Sequence, residues 1–384
     1  MIEAKEFVEA ARELGFSRYT GVPCSFLTPF INYVINDDTL EYVSSANEGD
    51  ALATAAGAAI GGQRSVVMMQ NSGLGNAVSP ITSLSYVFRI PNLIISTHRG
   101  QPGVKDEPQH ELMGQITKEL FDTMCVPWEI FPHNAEDIAP ALQRADEYMQ
   151  KEQRPYAFIM EKGTVAPQAL HKNPVQDISQ RKTLVRSSHN PDAKAINRNN
   201  ALQRIIEHTP EENTVLIATT GFTGRELFAV NDRPNHLYMV GSMGCASSLG
   251  LGVALARPDL KVVIIDGDGA GLMRMGNFAT IGSYAGNNLI HILLNNEVHD
   301  STGAQATVGG NIDFTKVAEA SGYRVCLSGN EINLIDELFS LEPQAGPVFA
   351  HLKIAAGTIE NLPRPNVTPN EVLTRLMKHI NSSF

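Results

Sequence analysis

Short runs of branched and other apolar residues recur along the chain, each followed by a longer stretch rich in Ala, Gly and Leu. The runs at 65–70, 92–97, 214–219, 261–266 and 289–295 are apolar at most positions rather than at every second one. A strand reads that way when both of its faces are covered. The stretches between them suit helices, so the alternation predicts an α/β fold: mostly parallel sheets with helices on both faces. Residues 1–8 pattern as an amphipathic helix, and no signal peptide or membrane-spanning run is expected.

One segment breaks the rhythm. Between 171 and 200 lie Lys172, Lys182, Arg186, Ser187, Ser188, Asn190 and Pro191, with little apolar periodicity. It is read as an exposed linker joining a domain at 1–170 to a second at 201–384. The two halves echo each other weakly. A small-residue helix from Glu48 leads to a strand and then Gly73; another from Gly244 leads to a strand and then Gly269, at the same offset. Two domains of similar build with different sites grafted on would give this pattern.

Composition narrows the classes. The chain has 384 residues, enough for two cores. Its net charge of −11 leaves no general attraction for nucleic acid or an anionic membrane. An anionic ligand would need a local cation to overcome that field. The four cysteines, Cys24, Cys125, Cys245 and Cys326, lack CxxC spacing. This argues against a zinc site or a disulfide framework and suits a reducing cytoplasm.

The chemistry concentrates where apolar runs end. Residues 262–265 lead into Asp266-Gly267-Asp268-Gly269-Ala270, and residues 289–294 lead into Asn295-Asn296. In a parallel sheet both ends open on one edge, where ligands bind. Asp268 offers an anionic oxygen and Asn296 a neutral one, a hard set that suits Mg²⁺ completed by waters and phosphates. The glycines allow backbone N–H groups to approach a diphosphate. Gly267-Asp268-Gly269-Ala270-Gly271 does not have the G-x-G-x-x-G spacing of a dinucleotide-binding turn.

This pairing of Gly-Asp-Gly with Asn-Asn resembles the thiamine-diphosphate motif of the pyruvate-decarboxylase-like superfamily. The resemblance implies two thiamine-diphosphate-binding-type domains, one for the pyrimidine and one for the diphosphate. It implies Asp268, Asn296 and the Val298 carbonyl as metal ligands. Val240-Gly241-Ser242-Met243-Gly244 resembles the family's Gly-x-hydrophobic-Gly turn, in which the Gly241 carbonyl would take a bond from the aminopyrimidine and Met243 would hold the cofactor bent. Thr220, Gly221 and Phe222 stand like its other diphosphate loop. Glu48 stands like the family's glutamate, which bonds the pyrimidine ring nitrogen and promotes loss of the cofactor's C–H proton. Asn71 and Ser72 would line the pyrimidine end. In that family the glutamate and the metal site come from different subunits, which implies at least a homodimer.

Three further stretches, 21–29, 96–110 and 297–305, resemble the phosphonopyruvate decarboxylases, with the sulfopyruvate decarboxylases next. The implied substrate is a small anionic 2-oxo acid carrying a phosphonate. Hydroxyls, amides and cations bind such a group, and Ser25, Thr28, Arg99, Lys105, Gln109 and His110 are the candidates. His110 and His299 are candidate acid–base groups. Gln109-His110 departs from the paired histidines of pyruvate decarboxylases. Sulfopyruvate decarboxylation, carboligation and cofactor sensing without turnover are the alternatives.

Overall fold

The computed structural model describes residues 1–172, 182–342 and 345–384. It divides into two units, one running to Gln176 and the other from Asp177 to Ser383.

The first unit carries β1 (Phe16–Gly21), β2 (Glu41–Ser44), β3 (Arg64–Met69), β4 (Leu93–Thr97), β5 (Trp128–Ile130) and β6 (Tyr156–Met160). They pair in the order β2-β1-β3-β4-β6-β5, every pair parallel. Alternate residues face opposite sides. Val66, Met68, Leu93, Ile95 and Phe158 pack into one core with Phe7, Phe30 and Phe131. Val67, Met69, Ile94, Ala157 and Ile159 pack into another with Ala51, Leu52 and Phe121. That double burial is why these strands read as continuous apolar runs. The helix Glu48–Ile60 is buried along its whole length. Its Ala and Gly residues let it lie close to neighbours on all sides, and the Asn47 side chain caps it by accepting from the Asp50 N–H at 3.0 Å.

The second unit carries β7 (Leu184–Ser188), β8 (Thr214–Ala218), β9 (His236–Tyr238), β10 (Lys261–Gly267), β11 (Leu289–Asn295), β12 (Val298–His299), β13 (Gln305–Ala306), β14 (Val325–Gly329) and β15 (Val348–Lys353). Its main sheet runs β7-β14-β15-β11-β10-β8-β9, again all parallel. β12 and β13 form a separate antiparallel pair. The five strands expected from the apolar runs all appear within a residue of their expected bounds.

The segment expected to be a linker is more structured than its composition suggests. Residues 173–181 lie outside the described residues. Leu184–Ser188, however, forms an edge strand whose backbone pairs with β14 from Leu184↔Val325 to Ser188↔Gly329. All five residues are exposed, so no apolar periodicity marked them. Arg198, at the end of the same segment, starts the helix Arg198–Glu207 and is buried. Among the described residues no helix is long and apolar enough to cross a membrane.

Candidate active site

In the second unit the C-terminal ends of β8, β10 and β11, adjacent in the sheet, open on a cleft. Register places Gly267 beside Leu294, so the residues after each strand emerge together. Asp268 begins the helix Asp268–Met273 and is 2% exposed. Its carboxylate accepts a hydrogen bond from the Thr307 hydroxyl. Burial pushes this carboxyl above its ordinary value, against the opposing pull of Thr307 and the Gly269 amide. Because burial penalises the charged form, a cation set against Asp268 would relieve that penalty.

Asn296 lines the same cleft beyond β11. Its Nδ2 donates to Asp300 Oδ2 at 2.6 Å, while its Oδ1 receives only a long bond from the Val298 N–H at 3.4 Å. Glu297 between them has φ +62°, a left-handed conformation rare outside glycine, and its carboxylate pairs with Lys353 at 2.9 Å. Val298 and His299 follow on the cleft wall.

Met243 lines the cleft just after Ser242, another non-glycine residue with positive φ, at +50°. A Cβ built on Gly269 would lie 2.5 Å from His299 Cε1 and 3.0 Å from Met243 Cε. A side chain at 269 would therefore need His299 and Met243 to move aside, and Gly267, Gly269 and Ala270 line the wall here. Gly241 is half-buried two residues before Met243 and is not part of that wall. Across the cleft, Gly221 takes φ +93° and opens the helix Phe222–Val230. Thr220, Gly221 and Phe222 line the cleft here, as do Thr219 and Thr223. A helix N-terminus, bare glycine backbone and threonine hydroxyls suit a diphosphate. One carboxylate with an amide oxygen and a carbonyl suits Mg²⁺. Among the described residues no group of three His, Cys, Asp or Glu could hold a metal, so a cation here would rely on neutral oxygens beside Asp268.

The first unit gathers a second set at the same end of its own strands. Glu48, 9% exposed, follows β2 at the start of its helix and accepts from Asn76 Nδ2 at 2.8 Å. A side chain at Gly73 would collide with its carboxyl group. Beyond β4, Arg99 forks onto Asp106 through Nε at 2.8 Å and Nη2 at 2.5 Å, and its Nη1 reaches Ser25 Oγ at 3.1 Å. Its guanidinium also lies 4.7 Å over the Phe26 ring. Arg99 holds the Asp106 carboxyl well below the usual carboxylate range. The Cys24 thiol sits beside them, donating to Gln70 Oε1 at 3.4 Å.

Residues 219–351 match the thiamine pyrophosphate enzyme C-terminal TPP binding domain, and residues 3–121 match the N-terminal TPP binding domain. The chain is 41% identical to the phosphonopyruvate decarboxylase of Streptomyces viridochromogenes over 98% of this chain and 94% of that protein. It is 42% identical to the phosphonopyruvate decarboxylase of Streptomyces hygroscopicus over 98% of this chain and 93% of that one. The chain belongs to the phosphonopyruvate decarboxylase family of thiamine pyrophosphate enzymes. A sulfopyruvate decarboxylase subunit beta of Methanothermobacter thermautotrophicus is 37% identical over 44% of this chain and 88% of its own length. The crystal structure of benzoylformate decarboxylase from Polynucleobacter necessarius shares the fold, with a TM-score of 0.71 at 14% identity over 92% of this chain and 99% of that one.

Within this phosphonopyruvate decarboxylase family member, the expected site residues differ in how they are placed. Asn71 is buried and already engaged: Nδ2 donates to the Arg99 carbonyl at 2.8 Å and Thr117 Oγ1 at 2.9 Å, and Oδ1 accepts from the Arg99 N–H at 3.3 Å. It fastens two loops together. Ser72 is exposed and accepts from Gln70 Nε2 at 2.6 Å. Thr28 turns its hydroxyl back to the Cys24 carbonyl at 3.5 Å. Lys105 stands on an exposed loop and Gln109, also exposed, in the short 3-10 helix Pro108–His110, whereas His110 is buried, with no hydrogen-bond partner at Nδ1. His98 is also buried, bonded through Nε2 to the Gly114 carbonyl at 2.9 Å. Arg198 and Thr307 are polar groups at the cleft that no motif indicated, the first lining it and the second bonding Asp268, and Asp300 from the 297–305 stretch lines it beside them. Each reaches it from a loop or helix start whose contacts no local pattern reveals.

Proposed function

We propose that this chain decarboxylates 3-phosphonopyruvate to phosphonoacetaldehyde and CO₂, using thiamine diphosphate and Mg²⁺, as a cytoplasmic homo-oligomer in phosphonate biosynthesis. The observation that carries this reading is the identity to two phosphonopyruvate decarboxylases over 98% of the chain. The cleft supports it, since Asp268 and Asn296 line it together with Met243 and the Gly221 turn. The thiamine ring, when bound, supplies an electron sink for the pair left by departing CO₂.

The protein's part is to bind, orient and move protons. Asp268, Asn296 and the Val298 carbonyl would hold Mg²⁺ against the diphosphate, with Gly267, Gly269, Ala270, Thr220, Gly221 and Phe222 as its cradle. Gly241 and Met243 would orient the rings. Glu48 would hold a proton at the pyrimidine nitrogen, serving the cleft of the other protomer in a homodimer. Arg99, through the Nη1 edge that meets Ser25, would receive the phosphonate with Ser25, while Thr28, Lys105, Gln109 and His110 border that region in sequence. His110 and His299 would supply or hold the proton needed at the product carbon. Free cysteines at all four positions are compatible with a reducing compartment.

The test is a coupled assay for phosphonoacetaldehyde on the purified chain, with and without thiamine diphosphate and Mg²⁺. Turnover should require both. The match to a sulfopyruvate decarboxylase subunit favours one competing substrate. Comparison of kcat/KM for phosphonopyruvate and sulfopyruvate decides between them, and a preference for the sulfonate would reverse the assignment.

A further inference from the structure

Asp300 is nearly enclosed, with 6% of its side chain exposed, yet it bears two very short polar contacts at one oxygen. Oδ2 accepts from Arg198 Nη2 and from Asn296 Nδ2, both at 2.6 Å, and Oδ1 accepts from the Gly357 N–H at 3.0 Å. Arg198 is itself buried and spans to a second acid: its Nη1 donates to Glu226 Oε1 at 2.8 Å and to the Gly357 carbonyl at 3.2 Å. Glu226 also accepts from Thr358 Oγ1 at 2.7 Å. One guanidinium thus fixes two carboxylates, and four stretches of chain converge behind Asn296.

An ionised carboxylate can only accept hydrogen bonds. The amide facing it must present its NH₂, which leaves the Asn296 oxygen directed away from Asp300. A carboxylate at 296 would instead meet Asp300 as a like charge. We propose that Asp300, held by Arg198, is the positioning residue that keeps the Asn296 oxygen, and not its NH₂, turned to the cation of the cleft. This rests on the reading of Asn296 as a cation ligand. Groups that orient a metal ligand in this way characteristically set metal affinity by about 10- to 100-fold.

Mn²⁺ is the probe, because its free-ion paramagnetic resonance signal disappears on binding and needs no turnover. Its dissociation constant is measured with saturating thiamine diphosphate for the wild type, Asp300→Ala, Asp300→Asn and Asn296→Ala, with thermal unfolding as a check on folding. Asp300→Ala should weaken Mn²⁺ binding about 10- to 100-fold, close to Asn296→Ala. Asp300→Asn keeps an oxygen that accepts from the Asn296 NH₂, and should lose less than about 10-fold. A purely structural role would lower the melting temperature while leaving the Mn²⁺ constant of the folded variants alone. The proposal is overturned if Asp300→Ala binds like wild type while Asn296→Ala does not, or if Asp300→Asn is as weak as Asn296→Ala. If Asp300→Ala does not fold, Asp300→Asn alone decides. Equal binding by wild type and Asn296→Ala would instead remove Asn296 from the ligand set, which is a failure of the underlying reading.

Discussion

Glu48 and Gly73 are fitted to each other: the Glu48 carboxyl occupies the space that any side chain at position 73 would need. Asn76 Nδ2 then holds that carboxylate at 2.8 Å. If Glu48 serves the cofactor, two substitutions should act on one step by different routes. Glu48→Gln keeps the volume but removes the proton-holding group, and kcat for phosphonoacetaldehyde formation should fall about 10²- to 10⁴-fold with the melting temperature little changed. Gly73→Ala should also lower kcat, by displacing the carboxylate. Full activity in the folded Glu48→Gln enzyme would take this residue out of the mechanism.

Arg99 and Lys105 were equivalent candidates on one polar loop, and the structure separates them. Arg99 is fixed by its fork onto Asp106 and offers one edge to Ser25, whereas the Lys105 side chain is exposed. A lysine at 99 keeps the charge and loses the fork. Arg99→Lys should raise KM for phosphonopyruvate by about 10- to 100-fold, matching the roughly 1.5–3 kcal/mol of a charge-assisted hydrogen bond. Lys105→Ala should change KM less, because a solvated cation contributes little. Steady-state kinetics on the two variants give the comparison, and a larger effect at Lys105 would relocate the phosphonate.

How much of this could be read beforehand follows from the range of each interaction. Val66 to Met69 announce a doubly covered strand because each residue's neighbours along the chain share its environment. Asp268 and Asn296 are legible because each follows one of two adjacent apolar runs, Asp268 between two glycines and Asn296 after a second amide. The Asp300–Arg198–Glu226 arrangement is not, since its members come from separate elements and are joined only by tertiary contacts. Leu184–Ser188 is not legible for a different reason: an exposed edge strand is held by backbone bonds to β14, which leave no trace in side-chain polarity. Asn71 shows the converse: the sequence puts it forward for the pyrimidine end, while in the fold its amide is taken up by Arg99 and Thr117.

Thr307 makes a prediction about the cation that does not depend on catalysis. Its hydroxyl donates to Asp268, whose carboxyl burial otherwise pushes up. Thr307→Val removes a hydrogen bond that favours the ionised form, so Asp268 should take up a proton more readily. Calorimetry of thiamine diphosphate binding at fixed Mg²⁺ should show weaker binding in Thr307→Val, with the deficit growing as pH is lowered. Asp268→Ala should be weaker still and lack that pH dependence. Unchanged affinity in Asp268→Ala would contradict its assignment as the anionic ligand.

His351 lies on β15, beside the strand that ends in Asn295, and its Nε2 meets Asn295 Nδ2 at 3.1 Å. A ring nitrogen facing an amide NH₂ must be the unprotonated acceptor. Burial, with help from the Lys353 charge, lowers its pKa from 6.5 to about 4. The unfolded chain therefore binds a proton near pH 6.5 that the folded chain refuses until near pH 4. Stability is unaffected above that range and falls as pH drops through it, because the unfolded state gains protons the native state does not. His236, also buried and lowered to about 3, adds loss in the same direction and extends it to lower pH. Asp37 has the opposite origin and a lower window: Thr39 and Arg12 hold it down to about 2, so its contribution is lost only as pH falls from about 4 toward 2. His351→Gln keeps an acceptor for Asn295 without a titrating group. Thermal unfolding followed between pH 7 and pH 4 should show a shallower loss of stability in this variant, and the two curves should run parallel below pH 4. Identical slopes above pH 4 would mean that His351 is already charged in the folded protein and does not accept from Asn295.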